Sequence, residues 1–536
     1  MARPIANLAA IMLIAGSAFA QPVIRTDLPV FNSASARYPG LPGSGIAQGS
    51  IFTILGTGLG PAQYVTIGSA PPSTKLGGTS VSVTVGGVSV DALLELASNY
   101  QINAILPSAT PIGNGTITVT YNRQTSAPAP IQVVASAFGI FTGTYSGYGQ
   151  AIATDANYGV NSVINAFHPG DYVTLWGTGL GAIQGDDAAT PPVGNLPVAV
   201  TIHVGDTSAP VVYAGRSGCC AGMDQVIFQV PQSVAGCAVP VAVEVGGTVS
   251  NIPTIAVSAT GATCSDSIMG QDLLDKLAGG ATVRFGYLRL ESEFAQYSGM
   301  AGLGGDSAFA SFSEYTPQTA YRAVYGVSRG YCASGMVGSL GFSDQSPAQL
   351  DAGSPITVAG RITISLTKPY GTYVFYNAAT RFLWSAWNYA ITAPGGDDVG
   401  PFAVNDTTSV PSAAFTGLYP GGTVPRSGDL KVQWSGGDPA MQNGNVTIGA
   451  YSEAAPGAVY VFLQCTAPAG AGQFTIPGWV LSLLPPSGTG QSGTLSYPLG
   501  WMWIGQYNNP VAFQAQGLDR GIVSDAFFNG LAVSFQ

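Results

Sequence analysis

One β-like stretch occurs twice in this chain, and that duplication constrains the fold more than any other feature. The first copy runs Gly49-Ser50-Ile51-Phe52-Thr53-Ile54-Leu55-Gly56-Thr57-Gly58-Leu59-Gly60, and the second runs Gly170-Asp171-Tyr172-Val173-Thr174-Leu175-Trp176-Gly177-Thr178-Gly179-Leu180-Gly181. The likeness extends beyond the glycines: Val83–Gly87 matches Ile202–Asp206, Gln101–Pro107 matches Gln225–Pro231, and Phe31-Asn32-Ser33 matches Val160-Asn161-Ser162. The copies are offset by about 120 residues, close to the ~100 residues of an immunoglobulin-like sandwich. Within each copy, runs such as Ser80-Val81-Ser82-Val83-Thr84-Val85 and Thr116–Tyr121 alternate with period two, the signature of strands with one buried face. Gly86-Gly87 and Gly246-Gly247 fall between such runs, where a hairpin turn needs positive φ. The expected fold is all-β: tandem immunoglobulin-like β-sandwiches followed by a larger β-rich C-terminal region.

The order of "GSIFTILGTGLG", "VTVGG", "QINAILP" and "TITVTY" resembles an IPT/TIG-type immunoglobulin-like domain. The stretch from Phe138-Gly139-Ile140-Phe141 to Val257 resembles, more specifically, a repeat domain of acidobacterial (Solibacter-type) secreted proteins. Gly149-Gln150-Ala151, Asn161-Ser162, Pro169–Val173, Gly177–Gly181, Asp224-Gln225-Val226 and Val230-Pro231 carry that resemblance. Phe474–Pro477 with Val480-Leu481 and Leu484-Pro485 is similar to a segment that follows such repeats in acidobacterial surface proteins. The resemblance implies a fold and an exported setting, and no chemistry.

The N-terminus reads as a secretory signal peptide over residues 1–20. Arg3 is its positive end, Leu8–Ala15 its short apolar run, and Ala18-Phe19-Ala20 its cleavage site, with cleavage after Ala20. That run is shorter than the ~20 residues a membrane span requires, and no later stretch is long and apolar enough, so no transmembrane anchor is expected in the mature chain. Immunoglobulin-like repeats are expected over 21–143 and 144–262. A β-rich C-terminal region comes next, over 267–536, with a candidate break near 345–352 and a short helix over Ile268–Leu277. The expected location is secreted or cell-surface.

Charged residues make up only 8% of the chain while hydrophobic residues reach 46%, a balance that favours ordered structure over disorder. The net charge is −10 and lysine occurs only at Lys75, Lys276, Lys368 and Lys431, so nucleic acid is not an expected partner. In an exported chain the cysteines read as disulfides. Cys237 is expected to pair with Cys264, and Cys332 with Cys465. Cys219 and Cys220 either bond to each other or one of them bridges Cys237.

The Gly-Thr-Gly-Leu-Gly peptides invite a dinucleotide-binding reading, but that motif needs a following helix to meet the phosphates. Pro61 and Tyr64–Ile67 follow the first copy, and Gln184–Asp187 follows the second. Both are therefore read as strand-end turns, and no cofactor is expected. Histidine occurs only at His168, expected in a loop, and His203, expected on a solvent-facing strand. Gly-x-Ser-x-Gly and His-Glu-x-x-His are absent, so no catalytic residue is assigned and no metal site is expected. Asp186-Asp187 and Asp397-Asp398, in glycine-rich loops, are weak calcium candidates. Glu291 and Glu293 would share one strand face, read as solvated rather than as a hydrolytic pair.

Candidate ligand-stacking aromatics are Trp384, Trp387, Trp501 and Trp503, weighed against simple core filling. The leading functional reading is a non-catalytic surface interaction or spacer module, with a protein or polysaccharide partner. Its alternatives are a secreted polysaccharide-active hydrolase with accessory sandwiches and a structural component of the cell envelope.

Overall fold

The computed structural model describes residues 21–536 apart from 69–70, 190–193, 265–267, 300–301, 323–327, 329, 337–345, 370, 378–380, 384–386, 409–412 and 442–443. The signal-peptide segment and Trp384 lie outside the described residues. The chain is all-β. The first sandwich faces two six-stranded sheets. One contains Ile51–Thr57 paired with Gln101–Ile105, and the other contains Thr79–Val85 paired with Gly113–Tyr121. Strand Thr79–Val85 alternates strictly between buried and half-buried positions, so Val81, Val83 and Val85 meet Phe52, Ile54 and Ile102 in the core.

The second sandwich repeats the plan with two five-stranded sheets. The equivalent strands Tyr172–Thr178 and Asp224–Gln229 pair in the same register: Leu55 opposes Gln101 in the first copy, and Trp176 opposes Gln225 in the second. Gly86-Gly87 and Gly246-Gly247 turn the hairpins with positive φ at both residues of each pair, as a primed turn requires.

The C-terminal region opens on a helix, Gln271–Ala278, which buries Leu273, Leu274 and Leu277. It begins three residues later than the apolar periodicity suggests, because Gly270 at φ 87° breaks the helical path. Ile268 and Met269 still pack into the same apolar cluster. Six strands organise the rest of the region: β1 (Val283–Gln296), β2 (Phe402–Thr408), β3 (Asn445–Ser452), β4 (Val461–Pro468), β5 (Gly500–Tyr507) and β6 (Arg520–Phe535).

An eleven-stranded sheet carries the order β4-β3-β5-β6-β1 at its centre. Here β1 and β6 run parallel, from Phe285 opposite Arg520 to Gln296 opposite Leu531. One face of this sheet is covered over its whole length. Leu288, Leu290 and Val523 pack on a four-stranded sheet that includes β2, while Ile448, Leu463, Met502, Ile504 and Val533 join a second core. Because side chains alternate along each strand, the opposite face carries the intervening residues.

Candidate ligand-binding groove

That opposite face carries a cavity of about 340 Å³. Alternation supplies its lining: Glu291 and Glu293 from β1, Phe528 from β6, Trp501, Trp503 and Tyr507 from β5, Thr447 and Tyr451 from β3, Phe462 and Gln464 from β4, with Tyr460 just before β4. The groove crosses five neighbouring strands, roughly 19 Å at ordinary strand spacing. Glycines on adjacent strands make room for the rings. Gly449 lies opposite Trp503, Gly530 opposite Trp503 and beside Trp501, and Gly505 opposite Phe528. A Cβ at Gly449 would collide with the Trp503 indole, one at Gly530 with Trp501, and one at Gly505 with the Phe528 ring. The rings therefore lie down over bare backbone instead of standing off the sheet.

The two carboxylates are held in place. Glu291 accepts a hydrogen bond from the Tyr507 hydroxyl at 2.7 Å and pairs with Arg289 Nε at 3.2 Å. Glu293 accepts from Trp501 Nε1 at 3.0 Å. Desolvation among the rings pushes the Glu293 carboxyl above its ordinary range. Its bond from Trp501 works against that shift, and the Glu291 charge adds to it. Tyr507 is driven well above its ordinary value, first by burial and then by the Glu291 charge. Tyr297 packs against the Trp501 wall, its ring 5.4 Å from Trp501 and 5.5 Å from Tyr497. The site thus offers broad apolar rings beside fixed acceptors and phenolic donors.

Of the aromatic candidates, Trp501 and Trp503 both reach the groove, but unequally. Trp501 is 5% exposed and forms its wall, whereas Trp503 is half-buried and presents its ring. Trp387 lies elsewhere, at the first position of a strand of the four-stranded sheet, where it is 38% exposed with the Arg361 guanidinium 5.0 Å above its ring. The face of Glu291 and Glu293, read from sequence as solvated, leaves Glu293 exposed and Glu291 half-buried, and it also forms the acidic wall of this cleft, because β6 and β5 bring aromatic rings alongside it. Tyr451, Tyr460, Phe462 and Phe528 do not stand out in the sequence. The signal that marks them is the pairing of period-two aromatics with glycines in neighbouring strands.

The cysteines form Cys219–Cys220, Cys237–Cys264 and Cys332–Cys465. Asp187 accepts from the Ser108 backbone N–H at 2.7 Å and from its hydroxyl at 2.6 Å, and Asp186 accepts from Ala188 N–H at 2.9 Å. Asp398 accepts from Asp351 N–H at 2.8 Å, while the Asp397 N–H donates to Asp351 at 3.2 Å. Among the described residues, no group of three or more His, Cys, Asp and Glu side chains gathers as a metal centre. His203 does not face solvent as its strand position suggested: it stacks on Trp479 with ring centroids 4.4 Å apart.

The duplicated glycine turn is a joint between the sandwiches. Gly179 and Leu180 donate their N–H groups to Asp224, each at 2.8 Å, and Asp224 pairs with the buried Arg216. Arg216 also donates to Gly181 O at 2.7 Å and, across the interface, to Gly49 O at 3.1 Å. Asn32 donates to Ala137 O and Thr178 O at 3.1 and 3.2 Å, and Thr178 Oγ1 accepts from Ile51 N–H at 2.8 Å. In the first copy, Gly58 donates instead to the Asn99 carboxamide at 3.1 Å.

No protein-family model and no curated protein matches the chain. Among solved structures, the S-layer protein rSbsC(31-844) aligns at 11% identity over 94% of this chain and 62% of its own length, with a TM-score of 0.18. The chain thus spans less than two thirds of that structure. Sidekick-1 immunoglobulin domains 1–4 align at 10% identity over 96% of this chain and all of theirs, with a TM-score of 0.12. Bacteroides ovatus mixed-linkage glucan utilization locus SGBP-B, solved with a mixed-linkage heptasaccharide, aligns at 11% identity over 81% of this chain and 83% of its own, with a TM-score of 0.13. Scores this low carry no argument about function. The strand topology itself defines the class, a multidomain protein with tandem immunoglobulin-like β domains.

Proposed function

We propose that this protein is exported and works without catalysis at a cell surface, its tandem sandwiches acting as a spacer and its C-terminal groove holding an extended polysaccharide chain. The observation that carries this reading is the groove itself, where rings laid flat over glycines stand beside oriented acceptors. Sugar rings present apolar C–H faces that stack on such rings, and hydroxyls that donate to Glu291, Glu293 and Gln464. The signal-peptide pattern of residues 1–20 and the resemblance to IPT/TIG-like and Solibacter-type repeats support the setting. The corresponding units are residues 21–143, 144–262 and 267–536.

A hydrolase is the second reading, favoured by the two carboxylates in one cleft. Against it, Glu291 and Glu293 are two positions apart on a single strand. They line one side of the groove, whereas a glycosidase pair flanks the scissile bond.

The test is a glycan array on the full chain, followed by calorimetric titration of the hits. Trp503→Ala is expected to weaken binding by at least about tenfold, the ~1.4 kcal/mol or more that a central aromatic anchor contributes. Absence of any glycan ligand, or unchanged affinity in a folded Trp503→Ala protein, would sink the proposal. Release of reducing ends that Glu293→Gln abolishes would establish the hydrolase instead.

A further inference from the structure

Charge and ring geometry narrow what the groove can select, an inference that rests on its reading as a polysaccharide site. Glu291 and Glu293 stand in its wall, and among the described residues no lysine or arginine lines it. Glu291 is balanced by Arg289 Nε at 3.2 Å. Glu293 is exposed, so a ligand can reach it, and it accepts from Trp501 Nε1 at 3.0 Å. Glu453, half-buried and just beyond the end of β3, accepts from Gly457 N–H at 3.2 Å. Among the described residues, neither Glu293 nor Glu453 has a basic partner at ion-pair distance. Both act on one ring: burial first, then Tyr297, Glu293 and Glu453, raise the Tyr451 hydroxyl above its ordinary value. The groove is thus locally acidic on a chain whose net charge is −10.

The rings that meet this charge are tilted against one another. Tyr451 lies 5.0 Å from Tyr460 with their planes 39° apart, and 6.2 Å from Trp503 with their planes 51° apart. All three are half-buried. Rings set at such angles make a concave wall, and each face carries the negative side of its quadrupole. A neutral sugar face stacks on one flat ring. Tilted rings beside a carboxylate that lacks a counter-ion suit an ammonium group, which gains from both. A glycan bearing carboxylates or sulfates is repelled by the same wall. We propose that the groove selects a polysaccharide carrying free amines, with hexosamine units that lack N-acetyl groups, and seats a sugar ammonium between Glu293 and the rings of Trp503 and Tyr451. The ammonium N–H groups donate to the Glu293 carboxylate, and its charge faces the rings.

Calorimetric titration of the full chain at about pH 6, where a primary amine is protonated, tests the selection. The probes are a β-1,4-linked glucosamine hexasaccharide, its fully N-acetylated counterpart and cellohexaose. The glucosamine oligomer should bind at least about tenfold more tightly than either neutral oligomer. Glu293→Gln keeps an acceptor for Trp501 and should abolish that preference. General attraction to a chain of net charge −10 would change little on losing one carboxylate, so a preference that survives Glu293→Gln overturns the proposal. Equal binding of the three oligomers, tighter binding of a neutral one, or array hits confined to neutral glycans would also overturn it while leaving the polysaccharide reading intact. Binding of no glycan at all, here or on the array, overturns both.

Discussion

Arg216 and Asp224 show how much one buried pair does at the residue scale. Asp224 gathers the N–H groups of the second glycine turn, and Arg216 carries that arrangement across to Gly49 of the first sandwich. Arg216→Ala leaves Asp224 charged, fully buried and without its cation. We expect a loss of about 3–5 kcal/mol in the stability of the second sandwich, read from its urea unfolding midpoint; a loss below about 1 kcal/mol would contradict this role. Asp224→Asn combined with Arg216→Met should recover part of the loss, because the bare charge is then gone. Gly449 is the matching position in the groove. Gly449→Ala places a methyl group against the Trp503 ring and should cost about 1–3 kcal/mol while weakening ligand binding, with a shift in tryptophan emission. Unaltered emission and affinity would mean that the ring does not rest on this backbone.

Elements differ in how plainly the sequence marks them, and the reasons are physical. Strands with one wet face announce themselves: Thr79–Val85 and Gly113–Tyr121 pair along the run that their valines and threonines mark out. Strand β4, Val461–Pro468, turns Phe462 and Gln464 into the groove. Its opposite face holds Leu463 and Cys465 in the core, so hydrophobicity alone could not separate a buried ring from a ligand-facing one. The Cys332–Cys465 bond ties the edge strand Cys332–Met336 to β4, residue opposite residue, across a sequence separation of 133. Closing so long a loop restricts the unfolded chain strongly. The double variant Cys332→Ser, Cys465→Ser is therefore expected to lose about 3–5 kcal/mol, checked by urea unfolding of the C-terminal transition. A midpoint unmoved by the substitution would show that the strand pairing suffices without the bond.

At the scale of the whole molecule, proton binding sets a direction. Burial pushes Glu95 from 4.5 up to about 7, and burial with the Asp406 charge pushes Asp525 from 3.8 up to about 7. Glu293 moves the same way. In each case the folded chain holds a proton that the unfolded chain releases more readily. The stability these groups contribute is therefore complete below their unfolded values near 4 and is lost as pH rises toward 7. Asp351 and Asp519 are lowered, despite the burial that opposes the shift, by their bonds to neighbouring N–H and lysine groups, and their contribution is lost only under stronger acid. The unfolding temperature should thus be higher near pH 5 than near pH 7.5, the reverse of an ordinary acid-labile protein. A temperature that rises between those values would contradict the placement of these carboxyls.

The sequence by itself determined the period of the strands, the duplication and the hairpin turns, because alternation and positive-φ glycines act between near neighbours. It did not contain the groove in readable form. Glu291 and Glu293 meet Trp501 and Tyr507 only because β6 pairs with β1 on one side and β5 on the other, bringing together residues more than two hundred positions apart. The same holds for Asp406 and Asp525, which no spacing rule links. Sheet order and the packing of one sheet on another decided the groove and this carboxyl pair alike, through contacts that chain proximity does not encode.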